Sequence, residues 1–142
     1  MEGVVNKTSI IVFLVLLIMS CAKQELATID LTTKNPSQIN LKLNKGERIQ
    51  FYSDLQLTYN VKPDIVYAFE FYQANQLLFS GGVDPFNVTA ETNNNTPNAI
   101  KGKLEGEFTA QYDDNYSIVV TLIKNNTLGL KIHHAKISVV KD

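Results

Sequence analysis

A chain of 142 residues has room for one domain, and its single cysteine excludes an internal disulfide. The 13 basic and 14 acidic residues leave a formal net charge of −1. Arg48 is the only arginine and the lysines are scattered, so neither a basic surface for nucleic acid nor an acidic tail is encoded.

The first element is an unbroken apolar run, IIVFLVLLIM, over residues 10–19. It is shorter than the roughly 20 residues that span a bilayer core. A short apolar run near the N-terminus, followed by a small residue, is the pattern of an export signal. Ile18-Met19-Ser20-Cys21 closes the run with an aliphatic residue, a small residue and the lone cysteine. This segment resembles the lipobox of bacterial lipoproteins. The resemblance implies that a diacylglycerol is joined to the Cys21 thiol and that the signal is cut just before it. It also implies anchoring to the outer membrane, because Ala22 rather than Asp follows the cysteine. On this basis residues 1–20 form a helical signal peptide, 21–25 a lipidated tether and 26–142 the mature domain.

From Leu26 onward the dominant period is two, the signature of strands with one buried face. Ile39, Leu41 and Leu43 alternate with Asn40 and Lys42, and Asn44-Lys45-Gly46-Glu47 reads as a turn. Ile49 and Phe51 start the next strand; Leu55, Leu57, Tyr59 and Val61 follow Asp54. Pro63 breaks the chain. Ile65, Tyr67, Phe69 and Phe71 make an inward face, and Gln73-Ala74-Asn75-Gln76 predicts a hairpin into Leu77 and its neighbours. Residues 81–98 look irregular, with Gly81-Gly82 as a turn and a short strand near Phe86. Ile100, Leu104, Phe108, Ala110 and Tyr112 share one parity. Tyr116 follows an Asp-Asp-Asn turn, as in the entry to a late strand of many Greek-key sandwiches. Residues 116–123 are apolar on both parities, which predicts a central strand covered on both faces. Leu130 and Ile132 are even while Ile137 and Val139 are odd, so a β-bulge is expected at His133-His134-Ala135. Eight to ten such strands predict an all-β fold, an antiparallel β-sandwich of immunoglobulin-like or jelly-roll type.

Candidate chemistry is sparse. On a regular strand His133 and His134 point to opposite faces, and a bulge that brought them closer would still leave zinc without a third ligand. Asp84, Asp113 and Asp114 are weak calcium candidates, but Asp is also what a tight turn selects. No nucleophile motif and no flanking carboxylate pair is present, so no enzyme, cofactor or metal is expected. Tyr52, Tyr72 and Tyr112 are the candidate exposed rings for a ligand such as a glycan. The expected function is that of a non-enzymatic, lipid-anchored envelope module, its partners the membrane through Cys21 and an envelope protein or glycan.

Overall fold

Period-two patterning dictates strands, and the computed structural model, which describes residues 23–89, 98–125 and 127–142, contains nine of them and no helix among those residues. The signal peptide and Cys21 lie outside the described residues. In chain order the strands are β1 (Gln24–Asp30), β2 (Ser37–Leu43), β3 (Arg48–Thr58), β4 (Asp64–Gln73), β5 (Gln76–Val83), β6 (Val88–Thr89), β7 (Ala99–Thr109), β8 (Asp114–Asn125) and β9 (Lys131–Lys141). They form two antiparallel sheets, one ordered β1-β9-β3-β7-β6 and the other β2-β8-β4-β5. Setting the two-residue β6 aside, β1 pairs with β9, β2 with β8, β3 with β7 and β4 with β5. The chain therefore doubles back on itself as one long hairpin, rolled so that successive pairs fall in alternate sheets.

One buried cluster draws on both sheets, with Ile49, Leu55 and Ile137 from one and Tyr67, Ile118 and Val120 from the other. An aromatic ladder ties the sheets together. The Phe51 ring of β3 lies 5.0 Å from Phe69 of β4, and Phe71 of β4 lies 5.0 Å from Phe108 of β7. Such contacts add about 0.5–1.5 kcal/mol each beyond area burial.

The inward face of β4 is as expected: Ile65, Tyr67, Phe69 and Phe71 are all buried. Its hairpin to β5 closes with two residues, Ala74 and Asn75, both at positive φ (49° and 63°). That geometry matches the twist of paired strands. The expected bulge in the last strand is present. His134 pairs with Gln56 but Ile132 pairs with Leu57, so His133 is the extra residue.

Two expectations need correction. Gly81 and Gly82 are not a turn; they continue β5 to Val83, so the irregular region starts later than 81. Finally, β8 is central in its sheet but, among the described residues, covered on one face only. Tyr116, Ile118, Val120 and Leu122 are buried, whereas Val119 and Thr121 are half-buried and Ile123 is exposed.

Tyr116 anchors the turn before β8. Its hydroxyl donates to the Tyr112 carbonyl at 2.7 Å and accepts from the Tyr112 amide at 3.2 Å, while its ring meets Phe108 edge-on. Tyr116→Phe keeps the ring and deletes both bonds. It is expected to cost about 1–2 kcal/mol in urea denaturation; a loss near zero would mean the corner is not held this way.

Tyr67 is buried with its hydroxyl 3.3 Å from Ser53 Oγ. Burial pushes its pKa from 10.0 up to about 12; the Ser53 hydrogen bond opposes the rise and the Asp54 charge adds to it. The fold thus favours the neutral phenol. The stability this contributes is fully present below pH 10 and is lost as pH climbs towards 12, about 3 kcal/mol in all. Denaturation midpoints at pH 9 and pH 12 should show that fall, and Tyr67→Phe should reduce it. An equal fall in the variant would assign it to other groups.

Candidate functional site

The candidate site lies where the sheets part, between β5 at the rim of one and β7 near the rim of the other. In register, inward Phe71 faces Phe79 and inward Phe69 faces Gly81. Where Phe79 fills the seam by stacking on Phe71 at 4.4 Å, Gly81 leaves it empty. Opposite, β7 is irregular. Gln50 pairs with Glu107 and Tyr52 with Lys103, so Leu104, Glu105 and Gly106 stand against Phe51 alone. Gly106 sits at φ 94°, a conformation that costs other residues. The result is an apolar slot of about 110 Å³, floored by Phe51, Phe69, Phe71 and Phe79 and bordered by Gly81, Gly106, Glu105 and Glu107. A Cβ added at Gly81 or Gly106 would meet nothing within 4 Å.

The rim is acidic. Glu105 accepts from Asn87 Nδ2 at 2.9 Å, and Glu107 accepts from Gln50 Nε2 at 3.2 Å with Arg48 Nε 3.7 Å away. Beside the slot, β5 shows solvent three large apolar residues, Leu77, Leu78 and Phe79, each between 43 and 48 % exposed. A broader depression lined by Lys45, Glu47, Arg48 and Asp142 is shallow and polar. Three of its charges are already paired, Arg48 with Asp142, and Glu47 with neighbouring Lys141 at 2.6 Å. Those bonds to Lys141, and then to the Asn44 amide, hold the Glu47 carboxyl below its usual range. Such a surface has little left to offer a ligand.

The residues singled out from the sequence do not converge. Tyr52 lies on the outer face of β3, where the Lys23 ammonium bonds its hydroxyl at 2.6 Å and sits 5.2 Å from the ring centroid. Tyr72 lies on the outer face of the other sheet and donates to Glu70, a bond that raises its pKa. Tyr112 is 64 % exposed in the turn before β8. Three rings on three surfaces form no row. Asp113 caps the Lys45 amide, Asp114 accepts from Gln73 and the Asn115 amide, and Asp84 caps the Phe86 amide. The Gln73 and Asn115 bonds hold the Asp114 carboxyl below its usual range. Asp84 follows Val83, which pairs with Tyr67, whereas Asp114 lies beside Tyr116, which pairs with Gln73. Six residues of β4 therefore separate them, roughly 20 Å. Among the described residues no group of His, Cys, Asp and Glu gathers as a metal set.

His134 Nε2 lies 3.2 Å from Asp54 Oδ2, and Thr58 Oγ1 lies 3.1 Å from His133 Nε2. Ser53, next to Asp54, faces the core instead and meets Tyr67. Ser53 is thus turned away from the His134–Asp54 pair. Sequence reasoning missed the slot because Gly81-Gly82 carries the signal of a turn. The uncharged stretch QLLFSGGV was the available clue. Comparison of the chain with protein-family profiles and with curated protein sequences gave no match.

Proposed function

We propose that this protein is a non-enzymatic lipoprotein of the cell envelope, held by acyl chains on Cys21 and acting as a binding or accessory module. The apolar run over 10–19 and the sequence ending at Cys21 support the anchor. One observation carries the binding role: an uncharged edge strand exposes Leu77, Leu78 and Phe79 beside an open phenylalanine-floored slot. A protein without a partner has every reason to bury such a surface. Within the two-sheet architecture, the pairing of β1 with β9, β2 with β8, β3 with β7 and β4 with β5 favours a jelly-roll sandwich over an immunoglobulin-like one. In the immunoglobulin order the last strand would lie beside β8 rather than β3. The glycan alternative draws less support, since its three candidate tyrosines occupy separate surfaces. The test of the anchor is metabolic labelling with radioactive palmitate. Label on the wild-type chain supports the reading, and an unlabelled chain in a labelled cell would refute it.

A further inference from the structure

The start of β1 and the apolar start of β5 lie at the same end of the sandwich. Gln24 pairs with Lys141, Lys141 with Ile49 and Ile49 with Phe108, so one row of residues crosses the larger sheet level with the first residue of β1. The Phe108 ring lies 5.9 Å from Phe79, and from Phe79 the chain runs back through Leu78 and Leu77 to the hairpin that closes β4 and β5. The turn from β7 to β8, which carries Tyr112, closes the same end, since Thr109 pairs with Arg48. Leu77, Leu78 and Tyr112 are all exposed there. We infer that these three side chains enter the interfacial layer of the membrane, as a second point of attachment beside the acyl chains on Cys21. The inference rests on the anchor proposed above and names the lipid surface as what covers the apolar start of β5.

The position of the anchor selects lipid as the occupant. The three residues from Cys21 to Gln24 span at most about 10 Å, so this end stays at the bilayer surface while the acyl chains stay in it. An exposed leucine within that reach gains by leaving water for the acyl boundary, where interfacial segments lie about 5–10 Å deep. Tyrosine suits the same layer, with its ring in the apolar part and its hydroxyl among the headgroups. The stretch from Ala74 to Phe79 carries no charge. The acidic groups elsewhere at this end have partners and fit the headgroup level: Glu47 meets Lys141, Asp142 meets Arg48, and Asp114 meets Gln73. β7, which β5 faces, lies three strands from β1, about 14 Å, so the apolar contact and the anchor stand on opposite sides of the end. Two contacts that far apart fix the tilt of the domain, whereas acyl chains alone leave it free to swing. Val61, Ile123 and Leu128 are exposed as well, but they lie towards the other end, and the eleven-residue β3 holds the two ends about 35 Å apart.

The chain has no tryptophan, so a single introduced one reports only its own surroundings. Leu77→Trp, Leu78→Trp, Tyr112→Trp and, at the far end, Leu128→Trp are each expressed as the full chain and purified from the membrane fraction. Each is then placed in phosphatidylcholine vesicles with or without bromine on the upper part of one acyl chain, which quenches only rings that reach the acyl boundary. All four sites are exposed, and circular dichroism should match the wild type. Bromine should quench the Leu77, Leu78 and Tyr112 variants about twofold or more and leave the Leu128 variant unchanged. Equal quenching at the two ends would overturn the inference. So would a blue-shifted emission at Leu77→Trp or Leu78→Trp without bromine quenching, because a second copy or another protein would then cover β5. Intact mass and flotation with the vesicles, read on the same samples, separate the two levels. A chain that carries its acyl mass and floats, yet shows no quenching at either end, keeps the anchor and refutes the contact. A chain without acyl mass refutes both.

Discussion

Phe71→Ala is expected to destabilise the domain by about 3–5 kcal/mol, the largest effect of any single substitution in the core. Phe71 is 4 % exposed and touches four other phenylalanines, with centroids at 4.4 Å (Phe79), 5.0 Å (Phe108), 6.0 Å (Phe51) and 6.1 Å (Phe69). It therefore joins β3, β4, β5 and β7 at one point. Truncation leaves a cavity beside an existing slot, with β5 held in its sheet by β4 alone. A domain of this size holds only about 5–15 kcal/mol in total, so the variant should sit close to unfolding at 37 °C. Urea denaturation reads this directly. A cost below about 1 kcal/mol would mean the ladder does not hold the sheets together. Phe79→Ala should cost distinctly less, because its ring is 45 % exposed.

Cys21→Ala is expected to abolish lipid incorporation altogether, a change from full labelling to none. Each buried methylene contributes about 0.8 kcal/mol, so one acyl chain holds marginally and two or three hold stably. Removing the thiol removes every chain linked through it. The readout has to be the covalent label rather than membrane sedimentation, since an uncleaved apolar run over 10–19 would itself keep the variant with the membrane. Label persisting in Cys21→Ala would place the lipid elsewhere. Because β1 begins at Gln24, the described domain starts three residues after Cys21, at most about 10 Å of chain. The sheets are thus expected to stand directly on the lipid surface.

The bulges show why part of this architecture was legible and part was not. His133 inserts one residue, which moves the inward set from even to odd numbers, and the switch from Ile132 to Ile137 announces it. In β7 three residues face one, a net insertion of two. Two residues restore the parity, so Ile100, Leu104 and Phe108 stay on one stripe and nothing in the pattern betrays the irregularity that shapes the slot. Gly81-Gly82 misled for a related reason. Glycine marks turns, but here the missing side chain at Gly81 opens space next to Phe69, while Gly82 fits because a Cβ there would come 2.9 Å from Val66 Cγ1. On β8, the apolar Val119 and Ile123 suggest a buried second face, but they lie on the side of the sheet turned away from the core, where Val119 is half-buried and Ile123 exposed. Tyr116 was readable because its role depends on a local turn. The tyrosine candidates were not, because whether three distant rings share a face depends on register and sheet assignment.

The most direct measurement is the intact mass of the native protein purified from the membrane fraction. The proposed function requires a chain that starts at Cys21 and carries the added mass of a diacylglycerol, with or without a further acyl group. An unmodified cysteine, or a chain that still carries residues 1–20, would contradict it.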